Sequence, residues 1–297
     1  MGGHADAHVN AWVEWLRAAR GRSERTVTEY ERVVRDWVDS GSDDMEAWLQ
    51  RERRGRARGS VAAPATQHKD SSALRSFYGW LHARGLIERD PTLLVSTPTI
   101  RNVQPKPILD TAWKSLWTSV SGPSRVMLGL GFFCGLRRAE MVALRTSHFD
   151  LATRRITNFV RKGGGEDSVP MGTMLDVFTA KLPHLGPELF WPALVDHLAS
   201  RPGDSLLLTQ AALGGAHDAA CGGQYLNNWM AREARWAGVG HVTPHMLRHS
   251  CATNLLRAGV PVALVSGLLN HAAIQTTMRY LKVGGDELRD WLVTAQS

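Results

Sequence analysis

Thr243-Pro244-His245-Met246-Leu247-Arg248-His249, followed by His-Ala-Ala-Ile-Gln-Thr-Thr-Met-Arg-Tyr from His271 to Tyr280, is the pair of stretches on which the reading of this chain turns. Thr243 is a natural N-cap and Pro244 a natural first helical residue, so His245 and Arg248 are expected about one turn apart on the same face of a starting helix. The unpaired N–H groups and positive dipole end of such a helix favour a phosphate oxygen. An imidazole and a guanidinium then point toward one anion. A capped helix whose His and Arg are merely solvated stays open on this stretch alone. His245 and His249 also have the i, i+4 spacing of a zinc-binding helix, but Met246 stands where that motif has glutamate. No third ligand comes at a recognisable spacing, so no metal site is expected.

The second stretch sets His271 just before a short helical segment and Tyr280 near its end, with Arg279 and Lys282 beside the tyrosine. A tyrosine hydroxyl, with a pKa of about 10, is a poor nucleophile at neutral pH unless positive charge and a hydrogen-bond partner surround it. The alternative for Tyr280 is an amphipathic ring at a helix edge. Upstream, the apolar run from Val126 to Leu136 reads as a buried helix ending at Gly135, after which Arg137, Glu140, Met141 and Leu144 repeat at helical spacing. Arg137 can enter a cleft there while Glu140, one turn on, holds its orientation; a surface Arg–Glu pair of little energetic weight is the competing view. Residues Arg154 to Arg161 look like a strand, Lys162 to Asp167 like a glycine-rich turn and Ser168-Val169-Pro170 like a return strand. A lysine on that turn can swing toward a leaving oxygen. The three glycines are not followed by Gly-Lys-Ser/Thr, so they do not make a nucleotide-phosphate loop.

In order and spacing these residues resemble the tyrosine recombinases, the lambda-integrase family. Its pattern is an arginine in a Gly-Leu-Arg-x-x-Glu box, a β-hairpin lysine, His-x-x-Arg, a second histidine in Gly-His-x-x-x-x-Thr-Thr, and a tyrosine. They fall here on Arg137, Lys162, His245 with Arg248, His271 and Tyr280, with Glu140 supporting Arg137. The chain departs from the pattern at Asn270, where glycine usually precedes the histidine. The resemblance spans nearly the whole chain. Thr26 to Arg32 looks like the first DNA-facing helix of the family's core-binding domain, and Ala73 to Leu81, with Arg75, like its later one.

The resemblance implies a mainly α fold with a small antiparallel β-sheet in the catalytic domain: a helical core-binding domain followed by an α+β catalytic domain. It implies that Tyr280 attacks a DNA phosphate, leaving a 3′-phosphotyrosyl bond and a free 5′-hydroxyl. Arg137 and Arg248 hold the non-bridging oxygens, Lys162 protonates the departing 5′ oxygen, His245 exchanges the tyrosine proton and His271 bonds the scissile phosphate. The covalent bond conserves the phosphodiester energy, so no metal, ATP or other cofactor is expected. Strand exchange implies a homotetramer on two synapsed double-stranded sites, a monomer or weak oligomer off DNA, and a directionality factor as a further partner. The segment Asp286 to Leu292, with Leu288, Trp291 and Leu292 on one face, is expected to dock on a neighbouring protomer or else on its own domain.

Bulk properties agree. With 297 residues the chain can bury two cores, expected as a DNA-binding domain over 1–97, a linker over 98–107, where proline and polar residues replace helical periodicity, and a catalytic domain over 108–297. The net charge of +7 suits a polyanion. Within the basic run Arg51 to Arg58, Arg53, Arg54 and Arg56 are candidates for phosphate contact beside Thr26 and Arg75, a solvated loop being the alternative. Three unpaired cysteines in apolar surroundings point to buried thiols in a reducing compartment, and the tryptophans at helical spacing read as core. No run is long enough to span a bilayer and no signal peptide is seen, so a cytoplasmic, nucleoid-associated protein without membrane contact is expected. Integration or excision of a phage or other mobile element is the first reading. Xer-type dimer resolution has the same chemistry, and a type IB topoisomerase or an inactive DNA-binding protein are the remaining classes.

Overall fold

Helices dominate the chain, with one small antiparallel sheet, which is the class the sequence implies. The computed structural model describes residues 2–51, 61–96, 107–160 and 166–270. Internal contacts divide the chain into two compact units, Met1–Asn102 and Val103–Ser297. All but the last residue of the expected linker, 98–107, lies outside the described residues.

The first unit holds α1 (Gly2–Ala18), α2 (Glu24–Ser40), α3 (Met45–Leu49) and α4 (Pro64–Ala83). Ser23 caps α2 by accepting the Thr26 N–H, and Gly41, in the left-handed region, ends it. Between these stops Val27, Val33, Val34 and Trp37 repeat at helical spacing and are buried. They meet Trp12 and Leu16 of α1 and Leu74, Phe77 and Leu81 of α4 in one core. Trp12 packs edge-on against Phe77 at 5.3 Å, and Trp37 Nε1 donates to the Tyr78 hydroxyl at 2.8 Å, so these rings are interior groups.

The second unit runs α5 (Asp110–Ser119), α6 (Gly122–Phe132), α7 (Arg138–Ala143), β1 (Phe149–Asp150), β2 (Arg155–Val160), β3 (Glu166–Val169), α8 (Met171–Lys181), α9 (Phe190–Ala199), α10 (Gly223–Trp236), α11 (Pro244–Arg257) and α12 (Val262–Leu268). The strands pair in the order β1-β2-β3, both pairs antiparallel. The register shifts between Ile156 and Phe159, where Asn158 takes a φ of +55°, as a residue in a bulge can. The return strand starts at Glu166, two residues before the sequence cue at Ser168, because ladder bonds pair Glu166 with Val160 whatever their strand propensity.

The core of this unit forms around α6. Trp113 of α5 lies flat on Phe132 at a centroid distance of 3.5 Å, and Phe133, Trp117, Phe178 and Phe190 close round it. The Trp113 Nε1–H is satisfied by the Leu185 carbonyl at 2.9 Å. One face of α6 meets α11 so closely that a Cβ on Gly131 would sit 2.7 Å from Leu247 Cδ1. Only glycine lets the two helices approach this far, and that approach brings the end of α6 beside the start of α11. Trp113→Ala leaves a large hole in this cluster and is expected to lower the stability of the second unit by about 3–5 kcal/mol. Urea unfolding followed by circular dichroism measures it, and a loss below about 1 kcal/mol would contradict the packing described.

Candidate active site

Thr243 and Pro244 start α11 as their chemistry dictates: the Thr243 Oγ1 accepts the Met246 N–H at 3.2 Å and Pro244 occupies the first turn. Leu247, Cys251 and Leu255 of this helix face the core. The same packing buries Arg248, whose residue surface is only 4% exposed. A guanidinium cannot shed its proton, so a buried one needs acceptors for its N–H groups. Arg248 Nη1 donates to the Gly135 carbonyl at 2.6 Å, and Nη2 donates to the Leu269 carbonyl.

Gly135 presents its carbonyl as an acceptor in this site because of its backbone. After α6 the chain turns at Gly135 with φ +64°, and a Cβ there would lie 2.3 Å from Leu269 Cδ2 and 3.2 Å from Cys251 Sγ. The turn delivers Arg137 to the start of α7. Its backbone N–H donates to Glu140 Oε2 at 2.7 Å, its Nη1 to Glu140 Oε1 at 2.8 Å and its Nη2 to the Asn270 carbonyl at 2.7 Å. Glu140 is 4% exposed, so this is a buried orienting carboxylate and not the surface pair left open by the sequence. The structure thus brings Arg137, Glu140 and Arg248 to one place.

His245 stands on the open side of α11. Partial burial, and then the positive charges of Arg248 and Arg137, push its imidazole below the ordinary histidine pKa. Its ring meets that of His249 edge-on at 3.9 Å, as their i, i+4 spacing on α11 allows. Among the described residues no group of three His, Cys, Asp or Glu side chains is placed to hold a metal ion. Lys162, His271 and Tyr280 lie outside the described residues, as do Arg53, Arg54 and Arg56. Thr26 and Arg75 belong to the first unit. The Thr26 hydroxyl is 2.9 Å from that of Ser23, and an Arg75 Nη donates to the Val95 carbonyl at 3.0 Å. Sequence reasoning missed the carbonyls of Gly135, Leu269 and Asn270. Gly135 carried a signal, as the glycine ending an apolar helix, and Asn270 stood out as a departure from a glycine position, though neither pointed to a carbonyl contact.

Two guanidiniums gathered beside an imidazole define a site for an anionic oxygen cluster of the phosphate kind. Residues 99–285 match the phage integrase family, and residues 9–85 match the N-terminal SAM-like domain of phage integrases. The chain belongs to the phage integrase family, and it is a tyrosine recombinase catalysing site-specific recombination. Among its relatives, the tyrosine recombinase XerC of Yersinia pestis is 32% identical, with 92% of this chain and 88% of that protein covered. XerC of Bifidobacterium longum subsp. infantis is 26% identical, with 96% of each covered. Of solved structures, a lambda integrase dimer bound to a core site aligns with a TM-score of 0.68 at 14% identity, covering 91% of this chain and 96% of that one; it shows the shared fold. Among the described residues no helix is long and apolar enough to cross a membrane.

Burial, and then the charges of Arg248 and Arg137, disfavour the imidazolium, so the neutral form of His245 is favoured more than in an ordinary histidine. An NMR titration of the His245 ring should give a midpoint below 6.5, rising toward it in Arg137→Ala as one of the two charges is withdrawn. A midpoint above 6.5 in the unmodified protein would contradict the electrostatics described.

Proposed function

We propose that this recombinase integrates and excises a phage or other mobile element, cutting each DNA strand through a covalent 3′-phosphotyrosyl intermediate on Tyr280. The observation that carries the reading is the joint anchoring of Arg137 and Arg248 on the consecutive carbonyls of Asn270 and Leu269, immediately before His271 in the chain. In this reading the two guanidiniums hold the non-bridging oxygens of the scissile phosphate as their charge grows. The neutral His245 accepts the Tyr280 proton, Lys162 protonates the 5′ leaving oxygen and His271 hydrogen-bonds the phosphate. Glu140 keeps Arg137 in place. The phosphotyrosyl bond keeps the energy of the phosphodiester, so rejoining needs neither ATP nor a metal.

In this reading residues 1–97 act as the core-type DNA-binding domain, joined by a linker over 98–107 to the catalytic domain over 108–297. Thr26, Arg75 and the basic run with Arg53, Arg54 and Arg56 contact the backbone of the target duplex, adding charge that makes binding salt-dependent. The lambda integrase to which the chain is similar is a dimer bound to a core site, which supports a double-stranded DNA partner. The setting is the cytoplasm and its nucleoid, with a directionality factor controlling excision.

Exchange takes place in a homotetramer. α8, α11 and α12 border a groove of about 610 Å³ lined by Met174, Val177, Ala180, Leu255, Val260 and Leu264. Leu264 is 60% exposed, so the groove offers uncovered apolar surface. We assign to it the segment Asp286 to Leu292 of a neighbouring protomer, whose Leu288, Trp291 and Leu292 are apolar. Truncation after Gly285 is expected to abolish tetramers on synapsed DNA while leaving single-site binding, measured by native gels and light scattering; intact tetramers would remove this assignment.

A second reading, resolution of chromosome or plasmid dimers, is favoured by the XerC name of the relatives. Recombination assays on an attachment-site pair and on a direct-repeat resolution site separate the two. The shared chemistry is tested with a nicked suicide duplex. The unmodified protein should accumulate a covalent protein–DNA adduct and Tyr280→Phe should give none; adduct formation by Tyr280→Phe at the unmodified level would overturn the mechanism.

A further inference from the structure

Arg137 and Arg248 come from different helices, yet both are fastened to one turn. α12 ends with the Leu269 N–H donating to the Val265 carbonyl at 3.0 Å and the Asn270 N–H to the Gly267 carbonyl at 2.9 Å. At Asn270 the backbone then enters the left-handed region with φ +47°. Such a residue reverses the local chain direction, so successive carbonyls diverge. One of them, on Leu269, accepts from Arg248 Nη2; the next, on Asn270, accepts from Arg137 Nη2 at 2.7 Å. A second left-handed residue, Gly135 at φ +64°, supplies the third carbonyl, to Arg248 Nη1 at 2.6 Å. The two turns touch, since the space beside the Gly135 Cα is filled by the Leu269 side chain.

We infer that Asn270 is a positioning residue: its left-handed backbone makes the Leu269–Asn270 turn a clamp that sets both guanidiniums toward a common phosphate. This rests on the function proposed above and adds to it the device that aligns the two cations. Carbonyl anchors suit the task because they fix geometry without cancelling charge. The bonds to the carbonyls of Gly135, Leu269 and Asn270 leave the guanidinium charge in place, whereas the bond to Glu140 offsets part of it. The residue type follows from the backbone. Glycine adopts a positive φ freely, asparagine tolerates it, and β-branched residues are nearly excluded from it. The residue at 270 therefore acts on the arginines through the backbone conformation it allows.

Three variants test this on the full-length protein. Asn270→Gly keeps the turn and should cleave a suicide duplex within about threefold of the unmodified rate in single turnover. Asn270→Val should lose on the order of 10- to 100-fold in that rate, as expected for misplaced catalytic groups. Asn270→Ala should fall between them. DNA affinity and the unfolding midpoint should stay near the unmodified values in all three, which separates misalignment from misfolding. As a readout independent of cleavage, the Nε–H NMR signals of Arg137 and Arg248 should both move in Asn270→Val and both stay in Asn270→Gly. The inference is overturned if Asn270→Val leaves both signals and the rate in place, or if Asn270→Gly disturbs them as much as Asn270→Val does. If the unmodified protein forms no adduct while the NMR contrast between the two variants persists, the functional reading fails and the clamp stands.

Discussion

A guanidinium that cannot lose its charge has been folded into the interior at Arg248, and the catalytic unit is arranged to make that tolerable. Burying an ion without partners costs several kcal/mol. A carboxylate would be the simplest partner, but it would also neutralise the charge. The fold supplies carbonyls, from the Gly135 turn and the end of α12. Both lie far from Arg248 in sequence, so the ion can be satisfied only once α6, α11 and α12 have packed together. The charged centre and the tertiary fold are therefore conditions of one another.

The aromatic cluster round α6 serves the same end. Trp113, Phe132, Phe133, Phe178 and Phe190 fix one side of that helix, and the lack of a side chain at Gly131 lets Leu247 of α11 press against its backbone. With α6 and α11 in contact, Gly135 falls beside Arg248 and Cys251, and the next turn of chain delivers Arg137. A longer side chain at residue 131 would push the helices apart and would separate the very carbonyl from the very guanidinium that must meet. Packing density here has a chemical consequence as well as an energetic one.

What could be read from the sequence was what is encoded locally. The Thr243-Pro244 start of α11 and the one-turn relation of Arg137 to Glu140 need only the neighbouring residues, and each is found as expected. The acceptors for the guanidiniums could not be read, because a backbone carbonyl has the same identity at every position and only the fold decides which ones point inward. Asn270 lies between the two cases. It departs from a glycine position, and its φ of +47° is one that both glycine and asparagine tolerate, but nothing local ties its carbonyl to an arginine 133 residues away. The early start of β3 at Glu166 likewise comes from pairing with Val160, a partner in space and not a propensity.

The cysteines complete the electrostatic case. Cys251 lies one turn beyond Arg248 on α11, and a thiolate there would offset the guanidinium's charge. Arg248 does favour ionisation of this thiol, but burial opposes it more strongly and the pKa is pushed up to about 12. Cys134, buried beside it, is raised as well, first by desolvation and then by the proximity of Cys251. The Cys251 thiol instead donates to the Phe133 carbonyl at 3.6 Å, a weak bond that helps hold the end of α6. Both sulfurs thus stay protonated at neutral pH, neither competes as a nucleophile, and no thiolate offsets the positive charge gathered by Arg137 and Arg248.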